Sequence, residues 1–240
     1  METDEQYGID QAGTAAASAE AQLARQSFLT SVFGWMFLGL ALTAGIAAYV
    51  AASGDMTAWF EDHPWAFLVM FVGQLGLVIA ISAGINRIGY SVAVFLFALY
   101  AALNGFIFSV ILEAYTTASI ASAFGVAAGM FGGMAAYGYV TKRDLSGMRS
   151  ILFMGLIGIL IGLIVNMFWA SSVLYWFVTF GGVLLFCALT AYDMQKIKQI
   201  GASGADGETL RKASILGALS LYLDFINLFL FLLRIFGSTR

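Results

Sequence analysis

Seven apolar runs, each 20 to 25 residues long, leave this chain of 240 residues few ways to fold. They cover residues 28–52, 65–86, 88–112, 116–140, 151–170, 171–191 and 213–236. A soluble domain hides such segments beneath a polar shell, and here the shell is missing. Hydrophobic residues make up 61% of the chain and charged residues only 10%, with 11 Lys and Arg against 14 Asp and Glu, well under half the charged fraction of an ordinary soluble protein. In hydrocarbon the constraint reverses, because each backbone N–H and C=O must find a partner inside its own segment, as a helix provides. About 20 residues at 1.5 Å rise cross about 30 Å of hydrocarbon. The expected fold is an all-α membrane protein with seven transmembrane helices and little outside the bilayer.

Several function classes fall away on composition and motif. A net charge of −3 with no basic patch gives nucleic acid no electrostatic footprint. The one cysteine, Cys187, cannot form an intrachain disulfide, and the one histidine, His63, excludes multi-histidine zinc or haem sites of the usual spacing. There is no Walker loop, no HExxH, no serine–histidine arrangement and no Rossmann glycine fingerprint. The chain is not expected to be an enzyme or to carry a cofactor. The sole proline, Pro64, with Asp62 and His63 before it, suits the first turn of the second helix, and His63 reads as a loop residue.

Charge sets the expected orientation. Residues 1–27 carry Glu2, Asp4, Glu5, Asp10 and Glu20 and read as a mobile cytoplasmic tail. They lack the basic start of a signal peptide, and the 25-residue run that follows is too long for its apolar core. The tail and the second, fourth and sixth loops hold Arg25, Arg87, Lys142, Arg143, Arg149, Lys196, Lys198, Arg211 and Lys212, whereas the other three loops hold no Lys or Arg. By the positive-inside rule the amino terminus is cytoplasmic in a multi-pass protein of the cell inner membrane. Seven full spans then put Arg234 and Arg240 on the opposite side. Glycines in the fourth run (Gly125, Gly129, Gly132, Gly133, Gly138) and the fifth (Gly155, Gly158, Gly162) are read as close-packing helix faces.

Ionisable residues inside spans are costly and mark functional positions. Asp224 stands near the middle of the last run, about 15 Å from either end. Ser220, Asn227 and Arg234 share its helix face, giving a polar stripe that places this helix at the centre of the bundle. Asp193 closes the sixth run beside Lys196 and Lys198. Read alone, it is an interfacial carboxylate, as Glu113 is an interface residue and Arg87 a loop residue. Asn104 and Asn166 bond across helices or line a path, and the sequence does not choose. A Tyr-Asp pair followed by a later Asp also fits an intramembrane aspartyl protease with a shared-proton dyad. That reading fails because Leu221-Tyr222-Leu223-Asp224 stands where such enzymes carry Gly-x-Gly-Asp, and no Pro-Ala-Leu element is present.

Two tracts, Ala191-Tyr192-Asp193-Met194-Gln195-Lys196-Ile197 and Leu221-Tyr222-Leu223-Asp224-Phe225-Ile226-Asn227-Leu228-Phe229 running on to Leu233-Arg234, resemble the signature regions of the Bax inhibitor-1 family. Phe97-Ala98-Leu99-Tyr100-Ala101-Ala102-Leu103-Asn104-Gly105 resembles its third helix, and the likeness, which covers roughly residues 20–238, is strongest to the bacterial branch. The resemblance implies a seven-helix bundle with a central last helix that acts as a pH-sensitive calcium leak. By motif, Asp193 and Asp224 match the family's proton-sensing carboxylate pair. Arg87 matches the arginine that pairs with it, by its place after the second span. The loop from Gly201 to Glu208 is long for the family.

Two carboxylates within hydrogen-bond reach in a poorly solvated site cannot both stay ionised cheaply, so they share a proton. Losing that proton leaves two anions that repel each other, attract Arg87 and offer hard oxygen ligands to calcium. The expected partners are the bilayer, protons and calcium as permeant ion, with no metal held firmly beyond calcium near Asp193 and Asp224. The alternative is a non-catalytic modulator of a membrane-bound quality-control protease, a role known for bacterial relatives, which the acidic tail would serve. On the run limits above, Asp193 lies at the inner edge with Asp224 about 15 Å deeper, so contact requires tilt, an inner vestibule or a last helix that begins later.

Overall fold

In the computed structural model of the chain, the backbone is described for residues 2–53, 59, 62–63 and 65–238, and the side chains of these from residue 22 onward except Phe67. Pro64 and the acidic residues Asp55 and Glu61 lie outside the described residues. The chain forms α1 (Glu2–Ser53), α2 (Trp65–Gly84), α3 (Tyr90–Ala114), α4 (Thr117–Val140), α5 (Arg149–Trp169), α6 (Ser172–Gly201) and α7 (Gly207–Phe236), with a 3-10 turn at Ser146–Met148 leading into α5. Six of these are long and apolar enough to cross a membrane, α1 from Gln22 onward, and α2 carries a shorter apolar stretch, Leu68–Gly84. Helical backbone begins at Glu2 and enters the first apolar run without a break, so no boundary marks residue 27.

The helix ends follow local chemistry. Thr116, Ser171 and Asp206 cap α4, α6 and α7 by accepting the backbone N–H three residues on, which satisfies donors that have no intrahelical partner. At exposed Asp206 the Thr209 N–H and hydroxyl hold the carboxyl below its ordinary range. The expected tight turn at residues 170–171 is present: Ala170 takes a left-handed conformation at φ 46° to reverse the chain between α5 and α6.

α7 is the core. Of its most apolar stretch 72% is buried, against 6 to 39% for the other five long helices. It is flanked by α1, α3, α4 and α6, while α2 rests on α3 and α5 on α6. α5 accordingly turns Ile151, Phe153, Met154, Ile161 and Ile164 outward, an arrangement that hydrocarbon tolerates and water does not. α7 also runs from one end of the bundle to the other. Its first turn shares a cleft with Ala24 and Ser27 of α1, and beyond its last turn Ser238 bonds Thr116 and Ser119 at the start of α4. α7 thus extends along the full length of the bundle.

Two limits differ from the hydropathic reading. α6 continues ten residues past Ala191, to Gly201, and α7 begins at Gly207 instead of Ala213. Met194, Gln195, Ile197 and Gly201 face inward while Lys196 and Gln199 face out. An amphipathic turn of this kind stays helical beyond the apolar run, and hydropathy alone misses it.

The glycines divide. Gly138 lies so close to the backbone of Ala191 that a Cβ would collide with that residue's carbonyl, and Gly155 and Gly162 face Leu185 and Val178 of α6. Gly125, Gly129, Gly132, Gly133 and Gly158 face open space, so only part of the expected packing stripe packs within the chain. Gly138→Val should push α4 off α6 and cost about 1 to 3 kcal/mol or more, read as a lower unfolding midpoint in detergent. Gly129→Ala should leave that midpoint unchanged or raised, and equal losses in the two variants would refute the assignment.

Candidate functional site

The site rests on the antiparallel register of α6 and α7. Gly217 lies against Ile197, where a Cβ would sit 3.2 Å from its side chain, and Gly182 lies against the Phe231 ring, on which Phe186 stacks at 5.9 Å. Moving one helical turn from each member of the Ile197 and Gly217 contact puts Asp193 level with Leu221, between Ser220 and Asp224. The depth gap inferred from the apolar runs disappears for this reason. Residues 192–201 and 207–212 extend the two helices beyond the runs, so Ala191 and Ala213, the two expected limits, stand at different depths.

Asp224 is 4% exposed, and its Oδ2 has no hydrogen-bond partner. Across the interface Asp193, half-buried, lies beside the Ser220 hydroxyl. The carboxyls of Asp193 and Asp224 are close enough to interact electrostatically, and Lys196 supplies a nearby positive charge to Asp193. The close approach at Gly138 and Ala191 brings α4 to within two residues of Asp193 along α6. Among the described residues no three His, Cys, Asp or Glu side chains gather to hold a metal.

The other residues singled out in the sequence lie elsewhere. Arg87 is exposed in the turn between α2 and α3 and, among the described residues, forms no ion pair with either aspartate. The turn ends α2 at Gly84 with Arg87 donating its own N–H to that residue's carbonyl, and the side chain is left in solvent. Asn227 donates to the Leu223 carbonyl of its own helix at 2.8 Å. Arg234 is about 15 Å farther along α7 than Asp224 and covers the rings of Tyr175 and Phe231. Of the stripe, Ser220 alone joins the aspartates.

Asn104 is buried and bonds the Tyr100 carbonyl, and Asn166 has a buried, unpartnered Oδ1 in α5. Glu113 is half-buried in the last turn of α3. His63 is half-buried and stacks on Trp59 at 4.6 Å. Cys187 is buried in α6.

A second polar cluster lies on the opposite face of α7 and carries no charge to announce it. Tyr222, fully buried, meets Thr43 Oγ1 of α1 at 2.7 Å, and that hydroxyl donates to the Ala101 carbonyl of α3 at 2.8 Å. The Tyr222 hydroxyl is therefore the donor to Thr43. Tyr100 and Phe97 meet the Tyr222 ring edge-on, and Gly39 leaves room for Phe97. Gln195 forms a third such contact, accepting from Leu145 N and donating to the Arg143 carbonyl, and so ties the α4–α5 connection to α6. In the sequence the hint of these contacts is a Thr inside the first apolar run and a Gln just beyond the sixth.

A multi-pass helical membrane protein whose most buried helix presents a carboxylate to a second carboxylate on its neighbour is thereby defined. The chain matches the model of the family described as inhibitor of apoptosis-promoting Bax1 over residues 25–240 and belongs to that family. It is 51% identical over 217 residues to inner membrane protein YbhL of Escherichia coli strain K12, covering 90% of this chain and 93% of the relative. Chains from Borreliella burgdorferi and Deinococcus radiodurans are each 42% identical, over 219 and 215 residues, covering 91% and 90% of this chain and 94% and 91% of theirs.

The Tyr222 cluster separates two substitutions. Thr43→Val should leave the buried Tyr222 hydroxyl without an acceptor and cost roughly 1 to 3 kcal/mol, whereas Tyr222→Phe keeps the Thr43 to Ala101 bond and should cost roughly 0.5 to 1.5 kcal/mol. Chemical unfolding in detergent measures both, and the reverse order would reject the donor assignment.

Proposed function

We propose that this protein is a seven-span inner membrane protein whose Asp193 and Asp224 form a proton-sensitive switch over a calcium leak path. The observation that carries the reading is the buried, unpartnered Oδ2 of Asp224, aimed into the interface where Asp193 and Ser220 lie. A carboxylate in the core of a bundle is costly unless it acts. Nothing in its packing explains it, because Ile215, Leu219, Leu228 and Leu232 fill the same helix without polar groups.

The pair shares one proton, and in that state α6 and α7 keep their contact. Removing it leaves two negative charges facing each other across a poorly solvated seam, which favours a wider spacing and a cation between them. Two carboxylates are few for a calcium store, which takes six to eight oxygen ligands. They suit an ion in transit that keeps part of its water shell. Arg87, in the exposed turn between α2 and α3, reaches the pair only if the helix ends rearrange. The shorter α2 completes the seven spans; the distribution of basic residues puts the amino terminus on the cytoplasmic side, and seven spans then put Arg234 on the opposite side.

Calcium flux from dye-loaded liposomes, followed between about pH 5 and 8, tests the switch. The unsubstituted protein should change rate across that range, and Asp224→Asn and Asp193→Asn should each make the rate nearly constant. PH-dependent flux that both variants retain would reject the pair as sensor. Orientation is tested separately by fusing alkaline phosphatase after Ser238, where high phosphatase activity is expected and an inactive fusion would overturn seven spans.

A further inference from the structure

On the flank of the bundle an apolar cleft of about 400 Å³ opens between α1 and α4, floored by Met194 of α6. Small residues make it: Gly132 and Ala136 are exposed, and a Cβ on Gly132 would meet nothing within 4 Å. Leu29 and Phe33 form the α1 wall, and Tyr139 closes the end toward the basic loops.

The α1 wall and the α6 floor each carry a positive charge at that end. On α1 the stripe Phe33, Leu29 continues one turn on to Arg25, and on α6 Met194 continues one turn on to Lys198. The two cations converge on one ring: the Arg25 guanidinium lies 5.5 Å and the Lys198 ammonium 5.3 Å from the centre of Tyr139. Lys198 also donates to the Tyr139 carbonyl at 2.6 Å. Arg25 is half-buried with its Nε unpartnered, and among the described residues neither cation has a carboxylate partner. Two cations held together with no carboxylate between them among the described residues repel, so the arrangement is complementary to an anion at the mouth of an apolar channel.

We infer that this cleft binds an anionic phospholipid, with one acyl chain against Gly132, Ala136 and Met194 and the phosphate between Arg25 and Lys198. The chemistry fits one source. A free phosphate uses the cations and leaves the cleft empty, and a neutral lipid fills the cleft and leaves the cations unpaired. Basic pockets between membrane helices at the cytoplasmic surface select anionic headgroups on this principle, and an interfacial tyrosine sits at headgroup depth. The site joins α1, α4 and α6, so an occupant braces α6 against α1 about one turn from Asp193.

The test uses the full chain, purified and stripped of lipid in mild detergent, with adducts counted by native mass spectrometry. One phosphatidylglycerol per chain should be retained, phosphatidylcholine with the same acyl chains roughly tenfold less, and glycerol phosphate not at all. Arg25→Gln with Lys198→Gln should lower retention about tenfold or more. Ala136→Leu, which fills the cleft and keeps both cations, should do the same. Lys142→Gln with Arg143→Gln, exposed at the same end of the bundle, should change nothing. Undiminished phosphatidylglycerol retention in either cleft variant, glycerol phosphate binding as strongly as the lipid, or a dimer mass in place of a lipid adduct would each overturn the assignment. Far-UV circular dichroism confirms that each variant is folded, and if the double variant is not, Ala136→Leu decides alone.

Discussion

The structure depends on how α7 is buried. Helices in a bilayer gain little from hydrophobic burial against one another, because lipid tails are as apolar as leucine, so close association comes from complementary surfaces and polar contacts. α7 has both. Gly217 and Gly182 let Ile197 and Phe231 close the α6 side, and the Thr43 and Tyr222 hydroxyls close the α1 side. Once that helix is central, Asp224 has nowhere to go: its position on the inner face follows from the packing of its neighbours Phe225, Ile226 and Leu228, which are themselves buried. The same register leaves Asp193 and Ser220 as the polar groups that meet it.

Burial also sorts the other helices. α5, the least buried of the long helices, keeps glycines at the contacts with Leu185 and Val178 and gives large side chains to the outside. α4 carries a run of small residues along one edge, with Gly138 pressed against α6 at its end. Its small edge is what leaves a cleft beside α1, and the extension of α6 beyond the apolar run is what brings Lys198 to the cleft's mouth. The two features the apolar runs obscure, the hairpin beyond residue 191 and the open glycines, therefore meet in one place.

Much of the fold was legible because a membrane helix is specified by length and hydropathy, both of which are local. The all-helical class, the seven helical segments and the central last helix all follow from apolar runs and one misplaced carboxylate. The limits of α6 and α7 were not legible, because Tyr192 to Ile200 and Gly207 to Lys212 are amphipathic helix that hydropathy assigns to a loop. That error produced the apparent 15 Å mismatch between Asp193 and Asp224. Arg87 was placed by order along the chain, and its side chain instead lies exposed in a turn. Thr43 and Tyr222 escaped notice because an uncharged polar residue costs little in an apolar run, and the two partners lie 179 residues apart; Gln195 falls beyond the run that hydropathy assigns to its helix.

The two polar clusters on α7 differ in what can change them. Tyr222 and Asp224 are two residues apart, about 200° around the helix, so one faces α1 and α3 while the other faces α6. The Tyr222 contact joins neutral hydroxyls and a backbone carbonyl, none of which changes charge near neutral pH. At Asp224 two carboxyls lie close enough to interact electrostatically. In the proposed switch a gain or loss of a proton would therefore act on the α6 side of α7 and leave the α1 and α3 side as it is. α5 rests on α6, and the Gln195 contacts tie the α4–α5 connection to α6 as well. Among the described residues Asp224 is the buried charged group of the core, so in the proposed switch its seam with Asp193 is where charge would alter helix spacing, and α5 with the α4–α5 connection is what such a change would carry with it.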